Sequence, residues 1–160
     1  MSHVATGRDF IEAYEQGVAL IEASVEGLSE EVMSYAPDPE RWCIHEILLH
    51  LADSEIVGSE RFRRVIAEEN AQLLAYDEDA WGRHLHYREQ NPWQALNLFR
   101  MLREMNGSLL RLMPASAWER VGVHSQRGLK TLAQVVEDYI EHVQYHLRQI
   151  EELKGMAPGR

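Results

Sequence analysis

The sequence has 160 residues, 45% hydrophobic and 26% charged, with 10 Gly and 5 Pro. That is the composition of one globular domain with a real core, and it excludes a disordered tail or a fibre. Lys and Arg number 16 against 26 Asp and Glu, a formal net charge of -10 with no basic block to offset it, which excludes a nucleic acid as partner.

No apolar run approaches the ~18 residues that span a bilayer, and the N-terminus lacks the basic-then-apolar layout of a signal peptide. A cytoplasmic protein with no membrane partner is expected. Its single cysteine, Cys43, cannot form an internal disulfide, which fits a reducing compartment. One domain over 1–160 is expected, with mobile ends at 1–6 and 155–160.

Apolar residues recur at three- and four-residue steps, and strict alternation is nearly absent, so an all-α chain is predicted. The first helix runs from about Arg8 to Gly27 on a stripe of Phe10, Ile11, Tyr14, Val18 and Ile21. A loop with one short turn follows. The second begins near Trp42 and reaches about Asn70, with Ile44, Ile47, Leu48, Leu51, Glu55, Gly58 and Phe62 on one side; Gly58 marks close approach of a neighbour. A long crossover carries a short helix around Asp79–Leu85. Asn91-Pro92 is a helix start, an Asn cap followed by Pro at the first helical position, and the third helix runs to about Leu112. The fourth starts near Leu129 and ends near Leu153, before Gly155. Four such helices joined by one long and two medium connections predict a four-helix bundle.

His142 and His146 stand in "EHVQYHLRQIEEL". At about 100° per residue, positions four apart differ by only roughly 40°, so the two share a face and can hold one ion. They flank the apolar stripe, where helices meet. His50 occupies an equivalent flank of the second helix, from which a third imidazole can converge. The plain alternative is a solvated pair on a glutamate-rich surface. Metal-bound imidazoles usually give their second N–H to a carboxylate or carbonyl, and Asp53, Glu46 and Asp138 are three or four residues from these histidines.

The stretch "RWCIHEILLHLADSE" resembles the helix-two signature of the DinB-like superfamily, and "GLKTL" followed by "HVQYHLRQI" resembles its last helix; the likeness covers essentially the whole chain. It implies a metal triad of His50, His142 and His146. The departure is Cys43, where many relatives have Ser or Thr; a buried small residue is the ordinary reading, a nucleophile the alternative. His124 falls in a region that overlies the metal in relatives and is a candidate substrate contact, against an ordinary loop residue. Trp81, in the crossover, is a candidate for closing a substrate cleft, although tryptophans more often anchor cores. His84 and His86, two residues apart, point to opposite faces of a helix; His45 and His3 have no expected role.

Three neutral imidazoles leave a divalent ion with an open position, the layout of a catalytic site. Zinc is the default, with nickel, iron or manganese also suited to nitrogen donors. The resemblance implies metal-dependent activation of a low-molecular-weight thiol for S-transfer to a small electrophilic substrate. Alternatives are a metal-dependent hydrolase and a non-catalytic metal-binding stress-response module. The resemblance also suggests a homodimer.

Overall fold

The structure, a computed structural model, describes residues 7–159; His3 and the rest of the expected mobile end at 1–6 lie outside the described residues, as does Arg160. Among the described residues six α-helices are formed: α1 (Gly7–Val25), α2 (Glu30–Ser34), α3 (Ile44–Ala67), α4 (Glu78–His84), α5 (Pro92–Arg111) and α6 (Leu132–Met156). The bundle consists of α1, α3, α5 and α6. Strands β1 (Gln72–Leu73), β2 (Val121–His124) and β3 (Gly128–Thr131) form a small sheet at its side.

Helix boundaries follow the capping chemistry. Asn91 Oδ1 accepts from the backbone N–H of Trp93 at 2.9 Å and of Gln94 at 3.3 Å, with Pro92 opening α5. Thr131 and Gln134 form a reciprocal box, Thr131 Oγ1 accepting from Gln134 N at 3.1 Å and Gln134 Oε1 from Thr131 N at 2.9 Å. The last helix therefore starts at Leu132 and not near Leu129. Residues 128–131 instead pair antiparallel with β2, from Val121 opposite Thr131 to His124 opposite Gly128. Four residues of strand are too short a run for alternation to announce them. At the other end α6 continues through Gly155 to Met156; within the stretch expected to be mobile, Ala157 is buried in the core while Gly155, Met156, Pro158 and Gly159 are exposed.

Helices α1 and α3 each pack on both α5 and α6, which sets α1 diagonally across from α3. Partners fix the directions. Along α3, Leu49, Glu55 and Ser59 meet Ala95, Arg103 and Asn106 in that order, so α3 and α5 are parallel. His50 meets His142 and His146 while Gly58 meets Tyr139, so α3 and α6 are antiparallel. Parallel neighbours require the chain to travel back the full helix length, which is why a long crossover, residues 68–91, stands between them. Gly58 is needed for the close approach: a Cβ there would lie 2.6 Å from the Tyr139 ring. The crossover is tied to the α5–α6 connection by β1, whose Gln72 and Leu73 pair in parallel with Val123 and His124.

The core has two apolar layers. One joins Val18, Ile21, Ile47, Leu51, Phe99 and Val143, the other Ile11, Phe62, Val65, Leu110, Leu132 and Val136. Between them α3 and α5 contribute Glu55, Ser59, Arg103 and Asn106, all buried. Arg103 and Glu55 pair at 3.1 Å with both side chains 1% exposed. The guanidinium also donates to the backbone carbonyls of Tyr14 (2.7 Å) and Tyr139 (2.9 Å), and the Tyr14 hydroxyl donates to Glu55. Asn106 donates to the Tyr14 hydroxyl at 3.1 Å and to Ser59 Oγ at 2.7 Å, and accepts from Arg63 at 2.8 Å. All four bundle helices are linked through this layer.

Candidate metal centre

His50 lies two turns into α3, while His142 and His146 occupy successive turns of α6, and the antiparallel packing brings their rings together. His50 Nε2 is 2.9 Å from His142 Nε2, which is 3.0 Å from His146 Nε2. The three ring nitrogens lie within 4.8 Å of one another. His50 and His146 are buried, at 0% and 4% exposure, and His142 is half-buried, so the cluster meets solvent on the His142 side.

Protonation decides what such a cluster can hold. Burial pushes His50 down to about 3, helped by repulsion from His146. It pushes His146 down to about 4, opposed by a hydrogen bond to Gln149. His142 is lowered strongly too, by burial first and then by its two imidazole neighbours. At neutral pH all three are uncharged, each with one N–H. His146 Nδ1 meets Gln149 Oε1 at 2.8 Å, and the Gln149 amide nitrogen donates to the Tyr145 hydroxyl at 3.3 Å. The amide orientation makes His146 Nδ1 the donor and leaves its Nε2 a bare lone pair. A proton on His142 Nε2 can face only one of its two neighbours, so lone pairs remain pointed at one another. A cation removes that conflict, and three neutral imidazole nitrogens suit zinc or another borderline divalent ion. The donor set therefore fits a divalent metal. His50 Nδ1 is buried without a hydrogen-bond partner, so of the three only His146 has its tautomer set by a neighbour.

The three carboxylates picked out by spacing are engaged elsewhere. Asp53 accepts from the Tyr87 hydroxyl at 2.7 Å; Glu46 accepts from Cys43 N at 3.2 Å and Arg88 Nε at 3.1 Å, capping α3; Asp138 binds Lys130 Nζ at 2.8 Å. Gln149 takes the expected supporting role instead. It stands three residues after His146, within reach on the same face, and its side-chain carbonyl serves where a carboxylate was expected. Cys43 is buried, and burial raises its thiol to about 11, the inert state of a packed cysteine.

A cleft of about 170 Å³ opens beside His142, lined among others by Ser54, Arg61, Tyr76, His124 and Asp138. His124 Nδ1 accepts from the backbone N–H of Gln126 at 3.1 Å and of Arg127 at 3.2 Å. Burial and the cations Arg61, Arg127 and Lys130 lower its pKa, so the ring is neutral with its proton on Nε2. Trp81 stands behind this cleft: it packs on the Tyr76 ring at 4.4 Å and against Leu49, Ala52, Tyr87 and Ala95, and does not line the cleft. A larger cavity of about 500 Å³ is lined by Trp42, Glu46, Arg83 and Arg88 and by none of the three histidines. Trp42 also packs on the His50 ring, with centroids 4.7 Å apart.

Fold and site together define a class: helical-bundle proteins in which histidines from two antiparallel helices converge on one ion-sized point. A sequence model of the DinB superfamily matches residues 13–150, and the chain belongs to that superfamily. It is 26% identical over 145 residues to "Putative metal-dependent hydrolase YfiT" of Bacillus subtilis (strain 168), covering 90% of this chain and 82% of the relative. It is 27% identical over 146 residues to "Putative metal-dependent hydrolase OB0782" of Oceanobacillus iheyensis, covering 91% and 84%. The solved structure of Bacillus subtilis YfiT, described as having an unusual four-helix bundle topology, superposes with a TM-score of 0.87 at 24% identity, over 96% of this chain and 89% of that one. Among the described residues no helix is long and apolar enough to cross a membrane.

Proposed function

We propose that this chain is a metal-dependent hydrolase whose divalent ion is held by the Nε2 atoms of His50, His142 and His146. The observation that carries the reading is the meeting of these nitrogens at 2.9 and 3.0 Å, with His146 fixed by Gln149 as a lone-pair donor. The relatives' names support the reaction class.

When bound, such an ion supplies Lewis acidity at neutral pH, lowering the pKa of water or of a thiol that reaches it. The protein's own part is to keep three imidazoles neutral by burial, to aim them through α3 and α6, and to leave access from the cleft beside His142. There His124, held neutral with Nε2–H free by its own turn, can donate a hydrogen bond to a substrate oxygen. Zinc is the first choice of ion, ahead of nickel, iron or manganese. Thiol S-transfer would use the same three nitrogens; it draws no support from the relatives' names and takes second place.

Metal analysis of protein purified without a histidine tag tests the site: one equivalent is expected in the wild type and loss in His50→Ala and His142→Ala. Equal metal in all three ends the proposal. The reaction is tested with 4-nitrophenyl esters, whose turnover should vanish with chelator. Chelator-sensitive conjugation of a small thiol to a chromogenic electrophile, without ester turnover, would select S-transfer instead.

A further inference from the structure

Acids outnumber bases in this chain by 26 to 16, and most arginines of the bundle have found a carboxylate, as Arg64, Arg100, Arg103 and Arg111 have. Arg61 has not. It is half-buried in the wall of the cleft that reaches His142. Its guanidinium donates to the Leu74 carbonyl at 2.7 Å and to the Tyr139 hydroxyl at 3.3 Å, while Nε is buried with no acceptor. Glu78 lines the same cleft, but among the described residues no carboxylate lies within ion-pair distance of Arg61; Asp138 is committed to Lys130 and Arg127. Glu78 feels the Arg61 charge across the cleft but does not meet it directly, and the half-buried guanidinium is pinned in place by neutral acceptors with Nε left unmet.

The neighbours of Arg61 add donors. The Tyr76 hydroxyl is buried against Ser54 without a hydrogen bond of ordinary geometry. His124 has its acceptor nitrogen turned back on its own loop, so the opposite edge of the ring offers N–H. The direction of the cleft follows from α3: Arg61 comes eleven residues after His50, a rotation of only roughly 20° and a rise of about 16 Å, with Ser54 between them. Tyr139 bridges the two ends from α6, its hydroxyl on Arg61 and its ring 6.3 Å from that of His142.

We propose that Arg61 is the anchor for an anionic group of the substrate, a carboxylate or a phosphoryl, whose other end reaches the three histidines. The substrate class is thus a short chain with a hydrolysable bond at one end and a negative charge at the other. This rests on the histidines forming the reactive end, and the test separates the two claims. Arg61 offers a fork of N–H donors to such a group, the geometry that makes arginine the preferred partner of planar anions.

Calorimetric binding to zinc-loaded, untagged protein reads the anchor without turnover. The ligands are linear dicarboxylates from succinate to suberate, each against the monocarboxylic acid of the same chain length, which keeps one carboxylate, replaces the other by a methyl group and has no bond to hydrolyse. The wild type should bind at least one dicarboxylate about tenfold tighter than its monocarboxylic counterpart. Arg61→Met should erase that gain and Arg61→Lys keep part of it, with metal content unchanged in both. A parallel series with a phosphonate in place of the distal carboxylate identifies the source: a gain confined to it assigns a phosphoryl group. Equal affinities at every length in both series of the wild type overturn the anchor, whatever the variants do, and so does a gain that survives Arg61→Met. Ester turnover without any anion gain would leave the hydrolase standing and remove Arg61; an anion gain without turnover would do the reverse.

Discussion

Two buried polar clusters join the helices of this bundle, and they differ in how their needs are met. In the layer around Glu55 and Arg103, each carboxylate oxygen has a donor and the guanidinium has carboxylate and carbonyl acceptors. Around His50, His142 and His146, three ring nitrogens face one another in contacts that their protons cannot all satisfy, and a further ring nitrogen is orphaned. The first cluster is complete within the chain; the second calls for something from outside. Burial alone therefore does not mark a functional site. Incomplete satisfaction under burial does, because an unmet polar group costs about 1–3 kcal/mol that folding has no reason to retain otherwise.

The strongest way to break the contrast is to make the complete cluster incomplete. Arg103→Met leaves Glu55 buried without its counter-charge, and urea unfolding should register a loss of about 3–5 kcal/mol. The double variant Arg103→Met/Glu55→Leu should recover a large part of it. A loss under about 1 kcal/mol for the single change would mean that the layer is not the structural member of the pair.

Completing the incomplete cluster is the converse. Zinc at a hundredfold excess over its dissociation constant should stabilise the wild type by about 2.7 kcal/mol and leave His142→Ala unmoved, as followed by thermal melting.

Acid offers a third probe. The three histidines have folded pKa values below the ordinary 6.5, near 3 for His50 and near 4 for His146. The unfolded chain therefore takes up protons from about pH 6.5 downward that the folded, metal-free protein refuses. Their contribution is fully present above pH 6.5 and is lost progressively as pH falls through 4 and on towards 3. The triple replacement of these histidines by alanine should flatten the stability profile in that window; an unchanged slope would remove the cluster as its source.

The smallest effect is expected at Gln149. Gln149→Leu should weaken metal binding by about tenfold or somewhat more with little change in metal-free stability. Unchanged affinity would deny Gln149 its part in aiming His146.

The sequence alone determined the four long helices, the cap at Asn91, and the shared face of His142 and His146, since helical period and side-chain capping are properties of neighbours along the chain; the cap at Thr131 came with the structure, because the last helix was expected to start near Leu129. Its family motifs also singled out His50. Arg103 and Asn106 were legible in principle, as polar residues on the same three- and four-residue stripe as Leu96, Phe99 and Leu110, but the stripe does not say what they meet. Only the tertiary structure decided that α3 and α5 run parallel, that Gln149 rather than Asp53, Glu46 or Asp138 supports a histidine, that 128–131 is strand, and that Arg61 faces the cleft unpaired. Each depends on which side chain from a distant segment arrives within about 3 Å, and hydrogen bonds and charges fall off too steeply with distance for local pattern to specify them.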